Sequence, residues 1–151
     1  MKAKKYMLQV RKINRILENK THEAAQWQLL AMSVTAAPPP DTGVRVQSSG
    51  DKQRMESSII AALDVQEQIS AAIAEQVAKR QEIIAVIEQL PEVEYDVLHK
   101  MYIGAAAQDG HMSYYTLDDV ARAYDRSYAW AKGMHGRALA DVQRIIDAVP
   151  K

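Results

Sequence analysis

Apolar residues recur every three or four positions along the first 35 residues, the spacing that places side chains on one face of an α-helix. One long amphipathic helix is therefore predicted over about residues 3–33, with Lys20 at a gap in the stripe. A stripe of this length needs a partner helix to cover it. Its apolar members are Tyr6, Val10, Ile13, Leu17, Ala24, Trp27 and Ala31.

A second long helix is predicted over about residues 52–90, where apolar residues hold a heptad-like spacing. Gln66 and Arg80 interrupt the seam, and a polar seam residue can fix the register of a coiled coil. The pattern favours either a helical hairpin with the first helix or an intermolecular coiled coil, and both remain open. The seam consists of Ile59, Leu63, Ile73, Val77, Ile84 and Ile87.

A connector is predicted between the two helices, at residues 35–51. Three consecutive prolines at positions 38–40 remove N–H donors and fix φ, and Gly43 and Gly50 add turn signals. The chain is therefore divided into a long-helix region at residues 1–90, which contains this connector, and a second domain at residues 91–151.

Shorter helices are predicted in the second domain. Pro91 either ends the second long helix or opens the next one, Gly104 is a C-terminal stop signal for that next helix, and a polar loop follows. Thr116 is expected to cap a helix running to Tyr124, and Ser127 to cap the last helix of the chain. Two helices joined by a three- to four-residue turn are typical of a helix-turn-helix, although helical bundles show the same spacing. The predicted fold class is all-α.

The composition is that of a folded soluble protein, with 48% apolar and 25% charged residues. The chain has no cysteine, which excludes disulfides and thiol catalysis and favours an intracellular protein. No apolar run approaches the roughly 20 residues that span a bilayer, so no membrane association is expected. The histidines lack metal-binding spacing, and no P-loop or nucleophile-elbow motif occurs. We therefore expect neither an enzyme nor a metal or other cofactor.

Charge is distributed unevenly along the chain. Residues 1–20 contain seven Lys or Arg and one acid, whereas residues 91–151 contain seven basic and nine acidic residues, a net charge of −2. DNA-binding domains are typically basic, because neutralising phosphates supplies most of the non-specific affinity. A DNA-binding role for the second domain would therefore depend on local cations or on the basic N-terminal helix.

The order of residues from Leu90 to Val142 resembles region 4 of the bacterial sigma-70 factors. The resemblance is carried by the Leu90–Pro91 start, by Thr116–Val120 ("TLDDV") at the place of the family's "TLEE" motif, and by the Ala138–Leu139 pair. It implies a helix-turn-helix whose second helix enters the major groove of double-stranded DNA.

Nearly the whole chain also resembles a family of small phage proteins from Gram-positive bacteria. Some members are grouped near the RinA/ArpU-type regulators of phage late genes. The resemblance is carried by "YMLQVR" at residues 6–11, "RVQSSGDK" at residues 45–52 and "HGRAL" at residues 135–139. It implies a phage-encoded protein acting in the cytoplasm of a bacterial host cell.

The sigma resemblance implies base contacts from Tyr128 and Lys132, with His135 as a further candidate. Sigma factors carry polar side chains at the places of Ala129 and Gly133, so the direct readout is reduced here. An alternative for the aromatic side chains of Tyr128 and Trp130 is packing against protein. Phosphate contacts are expected from Arg126, Arg137, Trp130, Lys4, Lys5, Arg11, Lys12 and Arg15.

The function expected from these features is a DNA-binding transcriptional regulator, with the N-terminal helices forming a homo-oligomer or contacting host RNA polymerase. Its expected partner is double-stranded DNA at a phage promoter or operator. The alternative is an assembly or interaction protein, such as a terminase small-subunit-like oligomer or a polymerase-binding adaptor.

Overall fold

The computed structural model describes residues 1–35 and 49–150, which form five α-helices and one small antiparallel sheet. The predicted all-α fold class is confirmed, because the sheet contains only two strands of two residues each. The predicted connector lies mostly outside the described residues. The elements are α1 (Ala3–Thr35), α2 (Ser49–Ile87), α3 (Glu92–Leu98), β1 (Ala105–Ala106), β2 (Met112–Ser113), α4 (Leu117–Ala123) and α5 (Tyr128–Ala148).

The chain separates into two compact units. Unit 1 comprises Met1–Glu18 and the chain from Gln76 onward, and unit 2 comprises the described parts of Asn19–Glu75. This division differs from the predicted boundary at residues 90 and 91. The reason is that Val10 of α1 and Ile87 of α2 are fully buried in the same hydrophobic core as the C-terminal helices.

The buried positions of α2 coincide only partly with the predicted seam. Leu63 and Val77 are 58% and 40% exposed, whereas Ile69 and Ile83 are buried. Apolar residues stand at both sets of positions, so the heptad count alone could not select between them. Ile87 belongs to the predicted seam and is buried as expected.

α3 continues into one turn of π-helix at His99–Ile103, which ends at Gly104 as predicted. Gly104 has a φ of +77°, and a Cβ at this position would lie 2.5 Å from the carbonyl oxygen of Ser113. Only glycine fits this conformation and this close approach. The predicted polar loop that follows contains β1 and β2, which place Ala105 opposite Ser113.

The C-terminal helices form the core of unit 1 around α5, which packs against both α3 and α4. The inward side chains of α5 are small: Ala131, Ala138 and Val142 are fully buried. Small residues let the neighbouring helices approach α5 closely, while its opposite face remains uncovered in the described part of the chain. This packing fixes which face of α5 is available to a partner.

Candidate nucleic-acid interface

The N-terminus of α4 is held by a reciprocal capping box. Thr116 Oγ1 accepts a hydrogen bond from the Asp119 N–H at 3.2 Å, and Asp119 Oδ2 accepts one from the Thr116 N–H at 2.9 Å. The hydrogen bond from the Thr116 backbone is the main reason that the pKa of Asp119 lies below its usual value. The cap predicted at Thr116 is therefore present, and it fixes where α4 begins.

The four residues between α4 and α5 form a tight turn. Asp125 has a φ of +50°, a left-handed conformation that aspartate tolerates better than most residues. The Arg126 N–H donates to the carbonyl oxygen of Ala121 at 2.8 Å, which closes the turn. Ser127 caps α5 as predicted, because its side chain accepts a hydrogen bond from the Trp130 N–H at 3.2 Å.

The turn is anchored to α3 through Tyr124. Its hydroxyl donates a hydrogen bond to Oδ2 of Asp96. Oδ1 of Asp96 accepts a hydrogen bond from the Lys100 ammonium at 2.5 Å. Burial and the bond to Asp96 raise the pKa of Tyr124 to about 12. Burial would raise the pKa of Asp96, but hydrogen bonds from Lys100 and Tyr124 outweigh it and leave that pKa below its usual value.

The outward face of α5 combines small residues with cations. Ala129, Gly133, Gly136 and Ala140 are exposed along it, and a Cβ added at Gly133 or Gly136 would meet no atom within 4 Å. These glycines are therefore not explained by close contacts within the described chain. The surface they form is smooth, so another molecule could approach the helix backbone closely.

Four of the predicted contact residues are accessible on α5 and the preceding turn. Tyr128 is 51% exposed, and Lys132, Arg126 and Arg137 are exposed as well. No ion pair within the described residues engages Lys132 or Arg137, so both ammonium and guanidinium groups can bind an external anion.

Trp130 is placed differently from the prediction of a phosphate contact. Its ring is half-buried against the hydrophobic core and lies 5.2 Å from the ring of Tyr124. The Arg126 guanidinium covers the indole at 5.7 Å. Trp130 therefore supports the turn, as the alternative of aromatic packing had it, and Arg126 is positioned by a cation–π contact.

His135 also faces the protein rather than the expected base. Its Nε2 shares a hydrogen bond of 2.8 Å with the hydroxyl of Tyr102, and the two rings are stacked. Burial, with the nearby charge of Lys4, lowers the pKa of His135. His135 lies on the side of α5 that packs against the core, and its contact with a base stays a prediction.

Arg11, which was predicted to contact phosphate, is engaged within the protein. Its Nε donates to the carbonyl oxygen of Met101 at 3.2 Å, and its Nη2 donates to the same oxygen. The guanidinium also lies over the rings of Tyr102 and Tyr114, at 5.4 and 4.5 Å. The π-helical turn leaves carbonyls without backbone partners, and Arg11 satisfies one of them.

Asn14 of α1 also supplies a hydrogen bond to a carbonyl oxygen of the π-helical turn, that of Ile103. It is 5% exposed, and its Nδ2 donates to the carbonyl oxygen of Ile103 at 3.0 Å and to the Tyr114 hydroxyl at 3.1 Å. Its Oδ1 accepts a hydrogen bond from Arg80 Nε at 2.9 Å. Sequence analysis missed Asn14, although its position four residues after Val10 continues the buried face of α1.

The remaining basic residues of α1 lie on different sides of the helix. Lys4 lies close enough to α5 for its charge to depress the pKa of His135. Lys12 lines a groove with Lys79 and Glu82 of α2, and Arg15 lines another with His111 and Glu18. Lys4, Lys5, Lys12 and Arg15 are all exposed, but of these Lys4 is the one whose charge acts on α5 in the structure.

The start of α1 is fastened to α5 through Gln143, which sequence analysis also missed. The Ala3 N–H donates to Gln143 Oε1 at 2.7 Å, and Gln143 Nε2 donates to the carbonyl oxygen of Met1 at 3.1 Å. The contact joins residues 140 positions apart, so no local pattern could have indicated it. It places the basic N-terminus beside the helix that carries Lys132.

Two searches of the described residues bear on other kinds of site. No group of three or more potential ligands is arranged to hold a metal ion among them. None of the described helices is both long and apolar enough to cross a bilayer. Comparison of the chain with protein-family profiles, curated proteins and solved structures gave no match.

Proposed function

We propose that this protein is a DNA-binding transcriptional regulator that places the outward face of α5 in the major groove of double-stranded DNA. The proposal rests on that face, which carries no side chain at Gly133 and Gly136. The exposed cations of Lys132 and Arg137, which form no ion pair with other described residues, border it. A smooth face lets the helix backbone approach base edges, and neighbouring cations attract the phosphates on either side.

Each accessible residue has a role in this proposal. The Tyr128 hydroxyl and the Lys132 ammonium contact base edges, since both lie in the first turns of a capped helix. Arg126, held over the Trp130 ring, and Arg137 contact phosphates. His135, Trp130 and Arg11 are left out because each is engaged within the protein.

The N-terminal helix supplies part of the positive charge that the C-terminal sequence lacks. Gln143 fastens the start of α1 to α5, and Lys4 lies near His135. Lys4 is therefore assigned an electrostatic role beside the DNA backbone, and Lys5 lies on the adjoining part of α1. Lys12 and Arg15 line grooves away from α5 and are expected to contribute less.

The biological setting of the proposal comes from the sequence resemblances. We place the protein in the cytoplasm of a bacterial host cell, as a phage-encoded regulator. Its long helices would bind host RNA polymerase or a second copy of the chain. Double-stranded DNA at a phage promoter or operator is the proposed target.

A second candidate function is supported by a different observation. Unit 2 exposes five large apolar side chains within the described residues of two helix segments, which is typical of a protein-binding surface. An assembly or adaptor protein, such as a terminase small-subunit-like oligomer, would use this surface as its main interface. The five residues are Leu29, Leu30, Met32, Ile60 and Leu63.

Selection from a pool of random-sequence DNA duplexes tests the proposed function. The full chain should enrich a common sequence, and its affinity for that sequence should fall steeply between about 50 and about 200 mM salt as counterions compete for the phosphates. An assembly protein would enrich no sequence. The absence of any duplex binding at about 50 mM salt would contradict the proposal.

A further inference from the structure

Unit 2 contains a groove with a predominantly apolar lining. Its volume is about 620 Å³, and it lies between the α1 segment from Asn19 onward and the α2 segment that precedes Glu75. The polar residues in its lining, which include Gln28 and Gln66, are uncharged. Its apolar lining includes Trp27, Leu30, Met32, Ile59, Ala62 and Leu63.

The two helix segments leave most of their large apolar side chains exposed or only partly buried. Ile69 is the one described side chain of this unit that is buried, whereas five large apolar side chains are between 55% and 68% exposed. Leu30, Met32 and Leu63 are among these exposed side chains and line the groove, whereas Leu29 and Ile60 are not part of its lining. Exposed large apolar side chains along one groove are typical of a surface that binds another protein.

We propose that the groove of unit 2 is the interface through which two copies of this chain associate, pairing their α1 and α2 segments into a four-helix bundle. Two helices form an incomplete bundle, and a second pair would enclose the exposed side chains in a common core. In such a two-fold arrangement the same patch on both copies covers itself.

Charge favours a second copy over a partner of a different kind. The described residues that line the groove are all uncharged, so they offer no electrostatic attraction to nucleic acid or to a strongly charged peptide. It fits an uncharged, apolar helical surface, and unit 2 presents that type of surface itself. Gln28 and Gln66 could exchange side-chain amide hydrogen bonds across the two-fold interface.

The size of the surface is also consistent with a dimer. The described α1 segment in unit 2 is 17 residues long, from Asn19 to Thr35, and therefore about 25 Å. Two adjacent helices of that length, each about 10 Å wide, present on the order of 500 Å² in projection. Side-chain relief increases the accessible area toward the roughly 800 Å² per partner of a stable interface.

Sedimentation equilibrium of the full chain without DNA tests this inference independently of the proposed DNA binding. The wild-type protein should show about twice the monomer mass of 16.9 kDa, with dissociation on dilution. Leu63→Glu should shift the equilibrium to monomer by at least tenfold in Kd, because it would place two unpaired carboxylates in an apolar interface. Leu30→Glu provides a second variant, because Leu30 also lines the groove.

Leu8→Glu is the matched control, since Leu8 is also an exposed apolar residue of α1 but lies in unit 1. It should leave the mass unchanged, and far-UV circular dichroism should show that all variants keep their helices. Three results would overturn the proposal: a wild type that stays monomeric even at about 100 times the lowest protein concentration measured, an assembly larger than a dimer, or a dimer that persists in both Leu63→Glu and Leu30→Glu.

Discussion

Arg11 of α1 donates two hydrogen bonds to the carbonyl oxygen of Met101, across 90 residues of sequence. The contact joins the basic N-terminal helix to the π-helical turn that follows α3. Arg11, which was predicted to contact phosphate, is partly buried here and holds α1 against this turn. We therefore expect Arg11 to contribute to the stability of unit 1.

Arg11→Ala is expected to lower the free energy of unfolding by about 2–3 kcal/mol. The substitution removes hydrogen bonds from a charged donor and the cation–π contacts with Tyr102 and Tyr114, and it leaves a carbonyl without a partner. Urea unfolding at neutral pH measures the change. Arg15→Ala, on the same helix but exposed, should change stability by less than about 0.5 kcal/mol. Equal effects of the two variants would show that Arg11 is not structural.

Tyr124→Phe should lower stability by about 1 kcal/mol, because the variant keeps the aromatic ring but loses the hydrogen bond to Asp96. The pKa of Asp96 should rise toward its usual value, which carbon-detected NMR titration would show. In the wild type, the unfolded tyrosine loses its proton near pH 10 and the folded one near pH 12. The contribution of Tyr124 is therefore complete below pH 10 and is lost between pH 10 and 12. A variant with the wild-type alkaline profile would contradict this assignment.

His135 should make the protein less stable in mild acid. Its pKa is lowered in the folded state, so the unfolded chain binds the proton more readily. The stability that neutral His135 contributes to the folded state is fully present above its unfolded-state pKa of 6.5. This stability is lost as the pH falls below that value. His135→Gln keeps a side chain that can hydrogen-bond to Tyr102 but does not titrate. In thermal unfolding, its stability should therefore vary less between pH 7 and pH 5 than that of the wild type. Some dependence will remain, because the pKa of His99 is lowered as well. An unchanged slope in His135→Gln would refute the assignment.

Gly133→Ala and Gly136→Ala should each stabilise the protein by about 1 kcal/mol. Both positions are in the interior of α5, and a methyl group there would meet open space. The proposed function adds a second effect: the methyl group would hold the helix away from the groove and weaken DNA binding. Thermal unfolding and fluorescence anisotropy on one selected duplex measure the two quantities.

Gly110→Ala serves as the control for this pair. Its Cβ would also meet open space, but Gly110 has a φ of +85°, so alanine should destabilise the protein there. Because it lies outside α5, DNA affinity should be unaffected. Stabilised Gly133→Ala and Gly136→Ala proteins that bind DNA as well as the wild type would remove the functional explanation for these glycines.

The sequence was sufficient to predict the α-helices, but not the π-helical turn at His99–Ile103 or the two short strands β1 and β2. The apolar period located α1, and Thr116 and Ser127 marked the starts of α4 and α5 through capping chemistry that acts over three residues. The face of α2 was not predictable, because apolar residues occupy two adjacent heptad positions. Ile69 is buried and Leu63 is exposed, although both fit a helical stripe.

The site was predicted less completely, since its arrangement depends on contacts between distant segments. Tyr128, Lys132 and Arg137 follow from their places on one helix, and all three are accessible. His135 was predicted to contact DNA because it lies on the sigma-like second helix, and Arg11 because it lies on the basic N-terminal helix. Their partners, Met101 and Tyr102, come from a segment that no local spacing connects to them.

The central claim, that the outward face of α5 reads DNA, is tested most directly by Lys132→Ala. The measurement is the affinity for a duplex selected by the wild-type protein, compared with a scrambled duplex at one salt concentration. Lys12→Ala is the control, because that lysine lines a groove with α2. Lys132→Ala is expected to weaken binding to the selected duplex by roughly 1–3 kcal/mol and to reduce the difference in affinity between the selected and scrambled duplexes. Lys12→Ala should preserve that difference in affinity. Equal, sequence-independent losses in both variants, or no loss in Lys132→Ala, would contradict the claim.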